Sequence, residues 1–136
     1  MAKAVLKIYH HNTIGKNSLA LGVYKVLENW EEGMGTFHSG EPEPIDSSGA
    51  IIWNTQPVFY DSSYAQFKPK KKVKQFPEID ITTLVREWLT GSFNNGMLIK
   101  PLGQFSGRDP ISIYEFYSRE YEDKTKAPVL MLDFKK

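Results

Sequence analysis

The stretch AVLKIYH, residues 4–10, decides how the rest of the chain is read. Ala4, Leu6 and Ile8 fall on one side of an extended backbone and Val5, Lys7 and Tyr9 on the other, because side chains alternate along a strand. A period of two means that one face belongs to a core while the other is at least partly wet. Short runs rich in β-branched and aromatic residues recur at 19–26, 50–53, 64–67, 73–76, 97–100, 113–118 and 128–134. In 113–118 the alternation makes Tyr114 and Phe116 the inward pair. Gly and Pro, 10 and 8 residues, punctuate these runs. The pattern predicts an all-β fold, a jelly-roll β-sandwich whose uneven strand spacing reflects long connections.

One segment departs from the alternation. Ile81, Leu84, Val85, Trp88 and Leu89 recur at i, i+3, i+4, i+7 and i+8, an apolar stripe on a short amphipathic helix at about residues 81–90 that lies across an open end of the sandwich. Asp80 is placed to cap its first turn, and Gly91 stands where a left-handed residue ends it. Asn94, Asn95 and Gly96 form the turn into the next strand. Residues 33–49, rich in Gly, Pro, Ser and acid, read as a surface loop.

The chain of 136 residues fits one domain, 1–136. Lys and Arg number 17 against 16 Asp and Glu, a net charge of +1 that lacks the basic footprint of a nucleic-acid binder. There is no cysteine, which excludes disulfides, thiolate metal sites and a cysteine nucleophile. No apolar run reaches the length of a membrane span, and no signal peptide is visible.

The residues offer little for catalysis. His10 and His11 point to opposite faces of a strand and cannot easily share a metal, and His38 stands alone. No serine sits in a nucleophile turn. The paired acids Glu31 and Glu32, Glu41 and Glu43, and Glu120, Glu122 and Asp123 read as solvated loop charge. They leave room for a structural calcium held with loop carbonyls, although no calcium-loop motif is present. The more suggestive pattern is the lysine run KPKKKVK, residues 68–74, beside Tyr60 and Tyr64. Aromatic rings next to cations suit an acidic sugar polymer: C–H faces stack on the rings while carboxylates meet lysine. Tyr60, Tyr64, Lys70, Lys71 and Lys72 are therefore the candidate contacts. Trp30, in the polar context of Glu28, Asn29 and Glu31, is a candidate sugar platform, whereas Trp53 and Trp88 read as core.

Five segments in order resemble a known family: VYKVLENWEEGMG (23–35), IIWNTQP (51–57), IDITTLVREWLTGSFNNGMLIK (79–100), FYSREY (116–121) and APVLMLDF (127–134). Together they are similar to the DNRLRE-type domain, also called carbohydrate-binding module 96 or the disaggregatase-related repeat group. The resemblance implies a jelly-roll sandwich that serves as a non-catalytic module of secreted and surface proteins. It implies binding of acidic polysaccharide such as alginate in some members. Family domains carry further strands ahead of the one that begins here at Ala4. The resemblance thus implies either a fragment or sheets completed by strand addition from another chain, including a second copy of this one.

Two functional expectations follow. The first is a non-catalytic polysaccharide-binding or surface-adhesion module located outside the cell, on its surface or on a virion. The second is an assembly or decoration subunit of a virion or surface layer that docks neighbours through exposed sheet edges. A hydrolase or lyase is the third class, and the residues give it the least support.

Overall fold

The computed structural model describes residues 1–15, 19–31, 56–70, 74–103 and 112–135. Among these described residues, eight strands and one α-helix run in the order β1 (Lys3–Lys7), β2 (His10–Ile14), β3 (Leu21–Lys25), β4 (Ala65–Phe67), β5 (Glu78–Asp80), α1 (Thr82–Leu89), β6 (Met97–Pro101), β7 (Ile113–Phe116) and β8 (Val129–Asp133). The fold is all-β with one short helix, as the alternation predicted. The predicted strand at 50–53 lies outside the described residues, as does the loop at 33–49.

Three sheets form, ordered β5-β1-β8, β2-β7 and β4-β3-β6, and every pairing is antiparallel. The first two are one surface in practice. Ile8 and Tyr9 join β1 to β2, and the ladder carries on through His10 N to Gln75 O at 2.9 Å and Tyr117 N to Tyr9 O at 3.1 Å. The predicted strand 4–10 therefore spans the end of β1 and the start of β2, and it keeps its alternation throughout: Ala4, Leu6, Ile8 and His10 are all buried. The expected strand at 73–76 begins outside the described residues at Val73; of its described part, Gln75 forms a bridge to His10, and regular pairing with β1 runs over Glu78–Asp80.

This composite sheet faces β4-β3-β6. Ala4, Leu6, Ile8 and Ile79 from one side meet Val23 from the other, with Phe67, Met97, Ile99 and Phe116 packed around them. Burial of these apolar side chains is the main favourable term holding the layers together. The described strands thus form a two-layer sandwich, and their order does not by itself spell out a jelly roll.

Helix α1 closes the core beside β1. Its start follows from the end of the ladder: β5 pairs with β1 up to Asp80, Ile81 N then donates to Ala4 O at 3.0 Å, and the Thr82 hydroxyl accepts from Ala4 N at 3.0 Å. Asp80 does hold the first turn, accepting from Thr82 N at 3.0 Å, but the residue at the cap position itself is Ile81. The cap moves one residue on because Asp80 is still paired in β5. At the other end Ser92 N reaches back to Glu87 O at 3.0 Å while Gly91 adopts a φ of 115°, the left-handed exit predicted for it. Of the apolar stripe, Ile81, Leu84 and Val85 are buried and Trp88 packs partly against the core, whereas Leu89 is 59% exposed. The packed part of the stripe thus ends at Trp88, one residue before its sequence suggests.

Candidate functional site

Trp30 follows the end of β3, and its indole is 45% exposed. It does not swing freely: Nε1 donates to Asn95 O at 2.7 Å. Asn95 is held in the turn that leads into β6, where the Asn94 carboxamide accepts from Gly96 N at 3.0 Å and Gly96 takes a φ of 89°. Gly96 lies beneath the indole, and a Cβ there would stand 3.5 Å from Nε1. Asn29, Trp30, Asn94, Asn95 and Gly96 line an open recess of about 360 Å³. A fixed indole edged by carboxamides can stack on the apolar face of a sugar ring and hydrogen-bond its hydroxyls.

Tyr60 and Tyr64 share a second surface, their ring centroids 6.1 Å apart and tilted by 55°. Tyr60 is 50% exposed, while Tyr64 packs partly against the core. The Tyr64 hydroxyl donates to Glu87 on α1, at 2.8 Å to Oε2, and Lys25 Nζ donates to the same oxygen at 2.8 Å. Burial first, and the Glu87 carboxylate second, push the Tyr64 pKa up to about 12. Hydrogen bonds from Lys25 and then Tyr64 hold the Glu87 carboxyl below its ordinary range. Lys70 is exposed beyond β4, and Lys71 and Lys72 lie outside the described residues. The candidate residues are thus divided between the tyrosine pair and the Trp30 recess, whose lining includes neither tyrosine.

The Glu87 contacts set a pH response. A tyrosine proton held more tightly in the folded state adds stability that is complete below the unfolded pKa of about 10 and is lost as pH rises to about 12. Glu87 acts in the opposite sense, adding stability above the ordinary carboxylate range that is lost as pH falls through its lowered folded value. In a tyrosinate absorbance titration, with Tyr64→Phe assigning the signal, Glu87→Gln should bring the midpoint part of the way back toward 10. An unmoved midpoint would show that burial alone raises it.

The histidines lie as alternation requires. His10 is 1% exposed, with Nε2 2.9 Å from Asn12 O and 2.8 Å from Thr13 Oγ1, whereas His11 faces outward and its Nδ1 is hydrogen-bonded to the Tyr117 hydroxyl at 2.8 Å. His38 lies outside the described residues. Among the described residues no group of three or more His, Cys, Asp or Glu is placed to hold a metal. Of the acids considered for calcium, Asp123 caps the 3-10 turn Lys124–Lys126 through Thr125 N, and Glu120 pairs with Arg119. No helix among the described residues is long and apolar enough to cross a membrane.

The model of carbohydrate-binding module family 96 matches residues 45–134, more than half of the chain. The chain belongs to carbohydrate-binding module family 96. The match takes in β4 to β8 and α1, with Tyr60, Tyr64 and the lysine run, while Trp30 and the segment 23–35 precede it. No curated protein and no solved structure matches the chain. Membership makes carbohydrate binding the general function to which the site has to answer.

Sequence reasoning missed the partners of both aromatic surfaces. The run Asn94-Asn95-Gly96 was legible as a turn, but not as the support of an indole 65 residues away in the chain. Glu87 carried no signal beyond a helical position, and its role arises from where α1 meets β3 and β4.

Proposed function

We propose that this protein is a non-catalytic module that attaches to polysaccharide, acidic polysaccharide in particular, outside the cell or at its surface. The observation that carries the reading is the Trp30 indole, held open by its bond to Asn95 and floored by a glycine in a chain of a carbohydrate-binding family. A preset aromatic platform loses little entropy on binding, which is how such surfaces gain affinity from few contacts. Tyr60, Tyr64, Lys70, Lys71 and Lys72 supply the acidic preference in this reading: an exposed ring for stacking and ammonium groups for carboxylates. No chemistry on the sugar is required of any of them.

A second reading, an assembly or decoration subunit of a virion or surface layer, is favoured by β8. Among the described residues that strand lies at the edge of its sheet beside β1, and Val129, Leu130, Met131 and Leu132 stay 45%, 43%, 49% and 42% exposed. An apolar edge strand of this kind is a template for a strand from a neighbouring chain or a second copy. Nearby, Ile8, Leu21, Ile99, Tyr114, Phe116 and Pro128 contribute to an open, largely apolar groove of about 760 Å³.

Affinity electrophoresis in alginate at low and high salt, with light scattering on the same sample, tests both readings. A monomer retarded by alginate, with retardation that weakens as salt screens the lysines, is the expected result. An oligomer that no glycan retards would replace the carbohydrate reading with the assembly one.

A further inference from the structure

The outward face of the composite sheet carries a row of aromatic rings that neither candidate surface uses. Tyr9 stands in the middle, 4.9 Å from Phe76, two residues ahead of β5, on one side and 5.5 Å from Tyr117, just after β7, on the other. Tyr121 extends the row, stacked on Tyr117 at 4.0 Å with 27° between the planes. The row is fixed in place: the Tyr117 hydroxyl is bound to His11, and Lys126 Nζ lies 5.8, 5.4 and 5.6 Å from the rings of Tyr9, Tyr117 and Tyr121. None of these rings belongs to the buried core.

The same face continues along β1 as a groove of about 440 Å³, whose lining includes Lys3, Val5, Lys7, Glu78, Met131 and Asp133. Register explains the alignment, since Lys3 faces Asp133, Val5 faces Met131, and Lys7 faces Glu78 across the ladder. From Lys3 to Tyr9 the strand extends about 20 Å at roughly 3.3 Å per residue. That length accommodates several sugar units in a row.

Charge selects the ligand. Lys7 is paired with Glu78 at 2.7 Å and Lys126 with Asp123 at 3.2 Å, and Lys3 stands opposite Asp133 in the register. Every cation of the strip thus has an acid beside it, so a polyanion gains nothing there. A neutral chain does gain: its ring faces lie on the tyrosines, and its hydroxyls can donate to Glu78 and Asp133 and accept from Lys3 and Lys7. We infer that the outward face of β5-β1-β8, with its aromatic row, is a second glycan-binding strip that takes a neutral polysaccharide chain. This inference rests on the carbohydrate reading and differs from it in surface, in ligand charge and in salt response.

Affinity electrophoresis in xylan, mannan, a soluble β-glucan and alginate tests it on the wild type, Tyr121→Ala and Tyr9→Leu. Tyr121 lies outside the ladder, and Tyr9→Leu keeps apolar bulk at the centre of the row, so both variants are designed to retain the fold, which circular dichroism verifies. One or more of the neutral glycans should retard the wild type equally at low and high salt. Each variant should raise the apparent Kd for that glycan about tenfold, a cost of roughly 1.4 kcal/mol, while alginate retardation persists. Unchanged neutral-glycan binding in both folded variants would mean that the row only braces the sheet, as cross-strand aromatics commonly do. Retardation by alginate alone would overturn the second strip and leave the proposed function standing. If none of the four glycans retards the wild type, both readings fail together.

Discussion

Leu84→Ala should lower the unfolding free energy by about 2–5 kcal/mol, the range for emptying a leucine site that cannot collapse. Leu84 is 0% exposed, and its cluster joins both sheets and the helix: Ala4, Leu6 and Ile8 from the composite sheet, Val23 from the other, Ile81 at the helix cap and Val85 from α1. Collapse is opposed from several sides. Ile81 and Thr82 tie the start of α1 to the backbone of Ala4, and Arg86 Nη2 reaches Ala2 O at 3.0 Å. The helix cannot sink toward the sheet without breaking those bonds. Urea unfolding should show a lower midpoint with an unchanged slope, since the surface exposed on unfolding stays nearly the same. Leu89→Ala is the internal comparison: at 59% exposure it should change stability by no more than about 0.5 kcal/mol. A loss below about 1 kcal/mol for Leu84→Ala would contradict the packing of α1 as described.

Trp30→Ala should weaken binding to the retained acidic glycan at least tenfold, about 1.4 kcal/mol, with the fold intact. The indole contributes area, and its anchoring removes the cost of ordering it. Nε1 is already committed to Asn95 O at 2.7 Å, so the ring meets the ligand in its final orientation. Trp30→Phe separates these contributions, because phenylalanine keeps an apolar ring but has no donor for Asn95. Its affinity should fall between those of the wild type and Trp30→Ala. Equal binding by wild type and Trp30→Ala, measured by affinity electrophoresis, would remove the recess from the site and leave the tyrosine and lysine surface to account for attachment.

The candidate residues were legible in the sequence for local reasons. Trp30 stood out because an indole between Glu28, Asn29 and Glu31 has no apolar neighbours in sequence to bury it. Alternation set Tyr9 on the face opposite Ala4, Leu6 and Ile8 and Tyr117 opposite the inward pair Tyr114 and Phe116, and the structure makes the two tyrosines neighbours across the ladder. Tyr64 was legible as an aromatic beside a lysine run, but not as a hydroxyl tied to Glu87. That bond depends on α1 bringing Glu87 beside Lys25 at the end of β3 and Tyr64 just ahead of β4, which no window of sequence contains.

The sequence by itself determined the face of each side chain in 4–10 and 113–118, the position of the one helix, its left-handed exit at Gly91, and the carbohydrate-binding family. All of these rest on backbone periodicity, on φ preferences of single residues, or on motifs in order along the chain. Tertiary structure alone decided that the strand pattern pauses at Ile8 and Tyr9 and resumes as β2, and that Glu78–Asp80 pairs with β1. It also decided that Leu89 stays in solvent, and that Phe76, Tyr9, Tyr117 and Tyr121 meet in one row. The physical reason is that strand partners and the reach of a core are set by contacts between distant residues, whose energies come from shared burial and register. A strand's alternation states which side of the sheet a residue occupies, and only the assembled sheet states what stands beside it.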